Sequence, residues 1–158
     1  MDFKTIDKSN YRECMELQVE ESQKHFVADN TRSLVEAAYE DGLYALGVYD
    51  GDTMVGFVLY DYDDTYPGWS MSRFMIGRQF QGKGYGKALI DFVAAKYKGK
   101  YSILQVGTGD SPLTVPFYEK SGFVRSHSIK NFFIDNYDHP IFEGGVQLTD
   151  MIYLQKKI

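Results

Sequence analysis

Three glycines within five residues, Gly82-Lys83-Gly84-Tyr85-Gly86, separate a strand-like run, Trp69 to Ile76, from Lys87 to Ala95, an alanine-containing run with helical spacing. The order is strand, glycine loop, helix. Such a turn suits an anion, because glycines let the backbone approach closely and the first N–H groups of a helix have no acceptor within it. The dinucleotide fingerprint Gly-x-Gly-x-x-Gly does not fit Gly82-x-Gly84-x-Gly86, and the first strand pair is antiparallel instead of part of a βαβ unit. Walker A spacing does fit Gly77, Gly82 and Lys83, but Gly84 stands where a Ser or Thr hydroxyl would meet magnesium. A glycine turn that only starts a helix is the plain structural alternative.

Around this turn the pattern is α/β. Phe3 to Ile6 reads as a strand, Ser9-Asn10 as the cap of a helix over Tyr11 to Gln18, and a second helix follows Asn30 with Leu34, Val35, Ala38 and Tyr39 on one face. Between them, Glu20 to Phe26 fits helix or loop. Leu43 to Tyr49 and Met54 to Tyr60 form an antiparallel pair joined by Asp50-Gly51-Asp52-Thr53, and Asp61 to Gly68 reads as a loop. Gly99 ends the glycine-turn helix. Tyr101 to Val106 is then a strand and Pro112 to Ser121 a short helix, with further strands around Ile129 to Ile134 and Gln147 to Leu154. The 158 residues, 44% of them hydrophobic, fit one packed domain, 1–158, without repeat or linker.

A net charge of −5 disfavours nucleic acid, whose affinity comes from Lys and Arg on phosphates, and favours a cationic small molecule. Cys14 is the one cysteine, so no intrachain disulfide forms, and a reducing cytoplasmic setting is expected. Met1 to Ile6 is too acidic and too short in apolar residues for a signal peptide, and no run is apolar enough to span a membrane. His25, His127 and His139 lack ligand spacing, so no metal is expected.

Gln81-x-x-Gly84-x-Gly86 resembles the pyrophosphate loop of the GCN5-related N-acetyltransferase (GNAT) superfamily. Downstream, Phe117-Tyr118-Glu119-Lys120-Ser121-Gly122-Phe123 resembles that family's second signature. The likeness covers about residues 43 to 125, and Trp69 to Lys83 with Phe26 to Asn30 look more narrowly like bacterial polyamine acetyltransferases. It implies a mixed central sheet with splayed fourth and fifth strands and flanking helices. It also implies acetyl-CoA as cosubstrate, held by Phe74, Ile76, Gln81, Gly82, Lys83, Gly84, Tyr85, Gly86, Lys87, Ser111 and Tyr118. Phe74 and Ile76 would offer main-chain groups to the pantetheine arm, in the manner of an added strand.

The implied chemistry is direct attack of a primary amine on the thioester, without a covalent intermediate. The Ile76 N–H would stabilise the oxyanion and Tyr118 would protonate the departing thiolate. Tyr118, one of 13 tyrosines, could equally pack in the core. Many members carry an asparagine where this chain has Ser111, which also suits a helix cap before Pro112. Ser72 stands where polyamine enzymes commonly carry an acid, leaving Glu20, Glu21 or Asp61, through water, as bases. Asp61, Asp63 and Asp64 could attract a cationic acceptor or merely serve a turn. The aromatic and acidic stretch Asn131 to Gly145 could shape an acceptor pocket, pack in the core or bury in a homodimer. A peptide-amine acetyltransferase, an idle acyl-CoA binding module and a nucleotide phosphotransferase are the rival readings.

Overall fold

The computed structural model describes residues 1–21, 24, 29–65 and 68–158, in two compact units: 1–62 with 71–96, and 63–70 with 97–158. The Glu20 to Phe26 segment therefore falls largely outside the described residues, as do His25 and Phe26 to Ala28.

The first unit is built on β1 (Asp2–Thr5), β2 (Tyr44–Asp50), β3 (Thr53–Asp63) and the part of β4 (Gly68–Ile76) from Met71 onward, in the order β1-β2-β3-β4. β2 and β3 form the expected antiparallel hairpin, whose turn puts Gly51 at φ 59, a conformation that costs glycine nothing. β3 continues through Asp61 to Asp63, which the acids suggested would be loop. Their low strand propensity is weak against the ladder already running through Tyr60. Gly56 sets the approach of β3 to β4, because a Cβ there would lie 2.6 Å from Ile76 Cδ1 and 2.9 Å from the Met75 carbonyl.

Two helices cover the core made by Cys14, Phe57, Leu59 and Met75. α1 (Tyr11–Glu16) contributes Glu13, whose carboxylate accepts the Tyr49 hydroxyl at 3.0 Å and the Met54 N–H at 2.7 Å. α2 (Asn30–Tyr39) starts on an Asp29 cap that accepts the Arg32 N–H. It turns Asn30, Ser33, Leu34 and Ala37 inward, whereas Val35, Ala38 and Tyr39 face solvent, Tyr39 being 87% exposed. Hydropathy alone pointed to the other face. The rotation is set by a polar anchor, since Asn30 Nδ2 donates to the Cys14 carbonyl of α1 at 2.8 Å. α3 (Tyr85–Tyr97) buries Leu89, Ile90 and Val93 completely, and Gly99, at φ 80, follows its end.

In the second unit the start of β4 pairs in parallel with β5 (Ile103–Gly109), through Trp69 with Leu104 and Ser70 with Gln105. β9 (Met151–Lys157) is antiparallel to β5 along its length and β6 (Val124–Ile129) is antiparallel to β9, giving the order β4-β5-β9-β6. The sheet is thus mixed. Trp69 stacks on Tyr97 at 4.5 Å between centroids and meets Tyr101 edge-on at 5.2 Å. Between β5 and β6 lies α4 (Thr114–Lys120).

The tail departs most from expectation. The strand expected to reach Ile134 stops at Ile129, and α5 (Phe132–Asn136) follows. Asn131 turns the chain in a left-handed conformation, φ 56, with its N–H on the Asp150 carboxylate, and Phe133 is buried. The Gln147 to Leu154 run divides between β8 (Val146–Gln147), paired with β7 (Phe142–Glu143), and β9, with Leu148, Thr149 and Asp150 between them. Among the described residues no helix is long and apolar enough to cross a membrane.

Gly56→Ala is expected to lower unfolding free energy by about 1–3 kcal/mol through overpacking against Ile76 and the Met75 carbonyl. Urea denaturation measures this, and an unchanged midpoint would mean that β4 yields freely.

Candidate active site

Within the first unit, β4 leads into the glycine turn by a route its hydrogen bonds define. The Gly77 N–H donates to the Val55 carbonyl at 2.9 Å and the Arg78 N–H to the Gln18 carbonyl at 2.8 Å, and a short 3-10 helix, Arg78–Phe80, follows. Gln81 reaches back, its side-chain amide donating to the Ile76 carbonyl at 3.1 Å. Gly82 and Gly84 then adopt φ values of 73 and 87, conformations that side-chain-bearing residues rarely take. A Cβ on either would meet nothing within 4 Å, so their backbone is open to a ligand. The Ala88 N–H bonds the Gly84 carbonyl at 3.1 Å, which leaves the N–H groups of Tyr85, Gly86 and Lys87 ahead of the helical ladder, at the positive end of the helix dipole. Backbone donors so placed could hold an anion such as a diphosphate.

The side chains around it are tied down. The Tyr85 hydroxyl donates to the Asp50 carboxylate, which holds that phenol above its usual range, and the Lys87 ammonium pairs with Asp91 one turn along α3. Lys83 lies over the Phe80 ring at 5.7 Å. Ser72 is exposed on β4 and donates its hydroxyl to the Leu59 carbonyl at 3.2 Å. The nearby acid Glu36 on α2 accepts from Arg73 at 2.8 Å and from Arg32 at 2.9 Å, so both of its oxygens are engaged by guanidinium groups. Glu21 pairs with Lys24 at 2.6 Å.

The second unit holds the other expected residues. Ser111 is buried, and its hydroxyl oxygen accepts the N–H groups of Leu113 and Thr114 at 3.1 and 3.2 Å. The cap reading of Ser111 therefore holds, although the helix begins at Thr114, with Pro112 and Leu113 in a turn before it. Tyr118 is buried on α4, with Phe117 and Phe123 edge-on at 5.1 and 5.5 Å. Burial pushes its phenol well up from the ordinary tyrosine range, and the negative charge of Glu143 adds to the effect.

Glu143 is the residue that the sequence did not single out. Among the described residues it is the one buried side chain of the Asp, Glu, Lys, Arg and His types. It sits in the two-residue strand β7, inside the stretch Asn131 to Gly145, and both of its oxygens lie 2.9 Å from the Thr114 hydroxyl. Nothing in Phe142-Glu143-Gly144-Gly145 distinguishes a buried glutamate from a solvated one in a turn. The structure thus gathers Phe74, Ile76 and Gln81 to Lys87 in one unit, and Ser111, Thr114, Tyr118 and Glu143 in the other.

A parallel pairing of β4 with β5, and a strand that runs into left-handed glycines opening a helix, define the acetyltransferase class of α/β fold. The chain belongs to the GNAT family of acetyltransferases: the family model described as an acetyltransferase (GNAT) domain matches residues 10–151. It is 30% identical over 131 residues to an uncharacterised N-acetyltransferase of Bacillus subtilis strain 168, covering 81% of this chain and 83% of that one. It is 29% identical over 135 residues to the spermine/spermidine N(1)-acetyltransferase of the same strain, covering 78% and 87%. A GNAT family acetyltransferase from Elizabethkingia anophelis, solved with acetyl-CoA bound, superposes with a TM-score of 0.75 at 25% identity, covering 99% of this chain and 97% of that one.

Ser111→Ala removes the acceptor of the Leu113 and Thr114 N–H groups and is expected to cost about 1 kcal/mol of stability, read from the denaturation midpoint. No loss would show that the turn before α4 does not depend on the hydroxyl.

Proposed function

We propose that the protein transfers the acetyl group of acetyl-CoA to a primary amine of a small molecule, a polyamine first among the candidates. The observation that carries this reading is the open, left-handed backbone at Gly82 and Gly84 immediately before α3, with Gln81 tied to the Ile76 carbonyl. In this reading the pyrophosphate rests on the N–H groups from Gln81 to Lys87, and Phe74 and Ile76 offer main-chain groups to the pantetheine arm. The net charge of −5 and the 29% identity to a spermine/spermidine acetyltransferase support a cationic acceptor. The single cysteine, Cys14, which precludes an intrachain disulfide, supports a reducing, cytoplasmic setting.

Chemistry then divides into three needs. An alkylamine, with a pKa of ~10.4, arrives protonated and must lose a proton before its lone pair attacks the carbonyl carbon. The tetrahedral oxyanion needs a fixed donor, assigned to the Ile76 N–H. As the C–S bond breaks, the thiolate takes the Tyr118 proton: the O–H bond breaks and an S–H bond forms. Ser111 supports α4 and, in this reading, also borders the bound CoA.

Thiol release from acetyl-CoA, measured with spermine, spermidine, aminoglycosides, amino acids and short peptides, tests the reading. Turnover is expected with at least one amine, falling about 100-fold in Tyr118→Phe while acetyl-CoA affinity stays within about 3-fold. Binding of acetyl-CoA without turnover of any amine would leave an idle binding module, and failure to bind it would end the reading.

A further inference from the structure

Resting on that reading, the geometry points to Glu143 as the proton acceptor of the transfer, a buried carboxylate that takes the amine's proton and works as a pair with Tyr118. Three observations meet here. Thr114 and Tyr118 are one turn apart on α4 and share a face, and the Glu143 carboxylate is bound to the first of them. A carboxylate has about four acceptor positions, yet its hydrogen-bond donor among the described residues is the single Thr114 hydroxyl proton, shared between two oxygens. A glutamate buried to 8% exposure with one neutral donor is uncommon, since buried carboxylates are ordinarily paired, and it leaves acceptor capacity spare.

The hairpin is shaped to deliver it. Gly144, at φ 59, packs so closely on the turn before α4 that a Cβ would lie 2.9 Å from Pro112 and 3.1 Å from Leu113. Phe142 and Val146 on either side of it stay half exposed, so the segment does not sit there for their burial.

The nitrogen attacks the carbon that carries the sulfur, so the group that protonates the sulfur and the group that deprotonates the nitrogen must be neighbours. In the first step an N–H bond of the attacking amine breaks and its proton goes, directly or through one water, to a Glu143 oxygen. Burial still holds the Tyr118 phenol up, but the negative charge of Glu143 that added to it is then gone, so the phenol becomes a stronger acid as the thiolate departs. The Tyr118 O–H bond breaks, S–H forms, and the Glu143 proton passes to the phenolate, which restores both groups. The net change is one proton moved from nitrogen to sulfur, and an amine that arrives as the ammonium ion releases its second proton to solvent.

Other charges around Glu143 are accounted for. On α4, Glu119 is drawn to Arg125 at 3.5 Å and Lys120 is exposed. The turn 111–113 holds no ionisable side chain, and neither does the hairpin 142–147 apart from Glu143 itself.

The test is Glu143→Gln, which keeps an acceptor for the Thr114 hydroxyl, assayed from pH 7 to 9.5 with the best amine from the panel. At pH 7, kcat/KM is expected to fall about 100-fold, with the acetyl-CoA KM and the melting temperature near wild type. The variant's kcat/KM should then climb about tenfold per pH unit as the free amine accumulates, where the wild-type profile is flatter. Glu143→Asp, retaining a carboxylate, should keep the wild-type profile shape. A Glu143→Gln profile parallel to wild type, whatever its height, overturns the role of Glu143 and leaves the transferase reading standing. A wild type that holds acetyl-CoA but acetylates no amine overturns both.

Discussion

The backbone reversal at Gly82 and Gly84 is the constraint on which the first unit turns. β4 must end, its last carbonyl must find a donor, and a helix must begin within a few residues. With a Cβ at either position the φ values near 80 would be strained, and the N–H groups at the start of α3 would be aimed elsewhere. Gln81 supplies the missing donor by reaching back to the Ile76 carbonyl, and the buried face of α3, Leu89, Ile90 and Val93, fixes the helix that follows. The open space around the two glycines is the other half of the same design, since a loop filled by its own side chains could not receive a phosphate.

Polar anchoring decides the finer geometry in both units. Glu13 joins α1 to β2 and β3, Asn30 joins α2 to the end of α1, and Ser111 holds the turn before α4. Each is buried or partly buried and satisfied by named donors or acceptors, so each specifies an orientation that apolar packing would leave loose. Glu143 differs in kind. Its oxygens share one hydroxyl proton, and the charge it carries bears on a phenol. The GNAT frame is held by satisfied polar contacts, while the proposed proton acceptor is an under-satisfied one.

Local signals in the sequence were sufficient for the glycine turn, the β2–β3 hairpin, the helix α3 and the family, because each rests on residues close together along the chain: Gln81 to Gly86, Asp50 to Thr53, Lys87 to Ala95 and Phe117 to Phe123. They were also sufficient for the capping role of Ser111, a matter of three consecutive residues. Where the reading failed, a distant partner had overruled the local pattern. Val35, Ala38 and Tyr39 look like an inner face until Asn30 binds the Cys14 carbonyl on the other side, and Ile129 to Ile134 looks like a strand until Asp150 captures Asn131.

The sequence by itself therefore determined the α/β class, the acetyltransferase family and the glycine turn ahead of α3, all of them properties of backbone conformation and short-range spacing. Only the tertiary structure decided which acids are paired and which is buried. Glu36 is closed off by two guanidinium groups and Glu143, more than a hundred residues further along, is buried beside a tyrosine; burial and charge environment belong to the folded chain and have no signature at a single position.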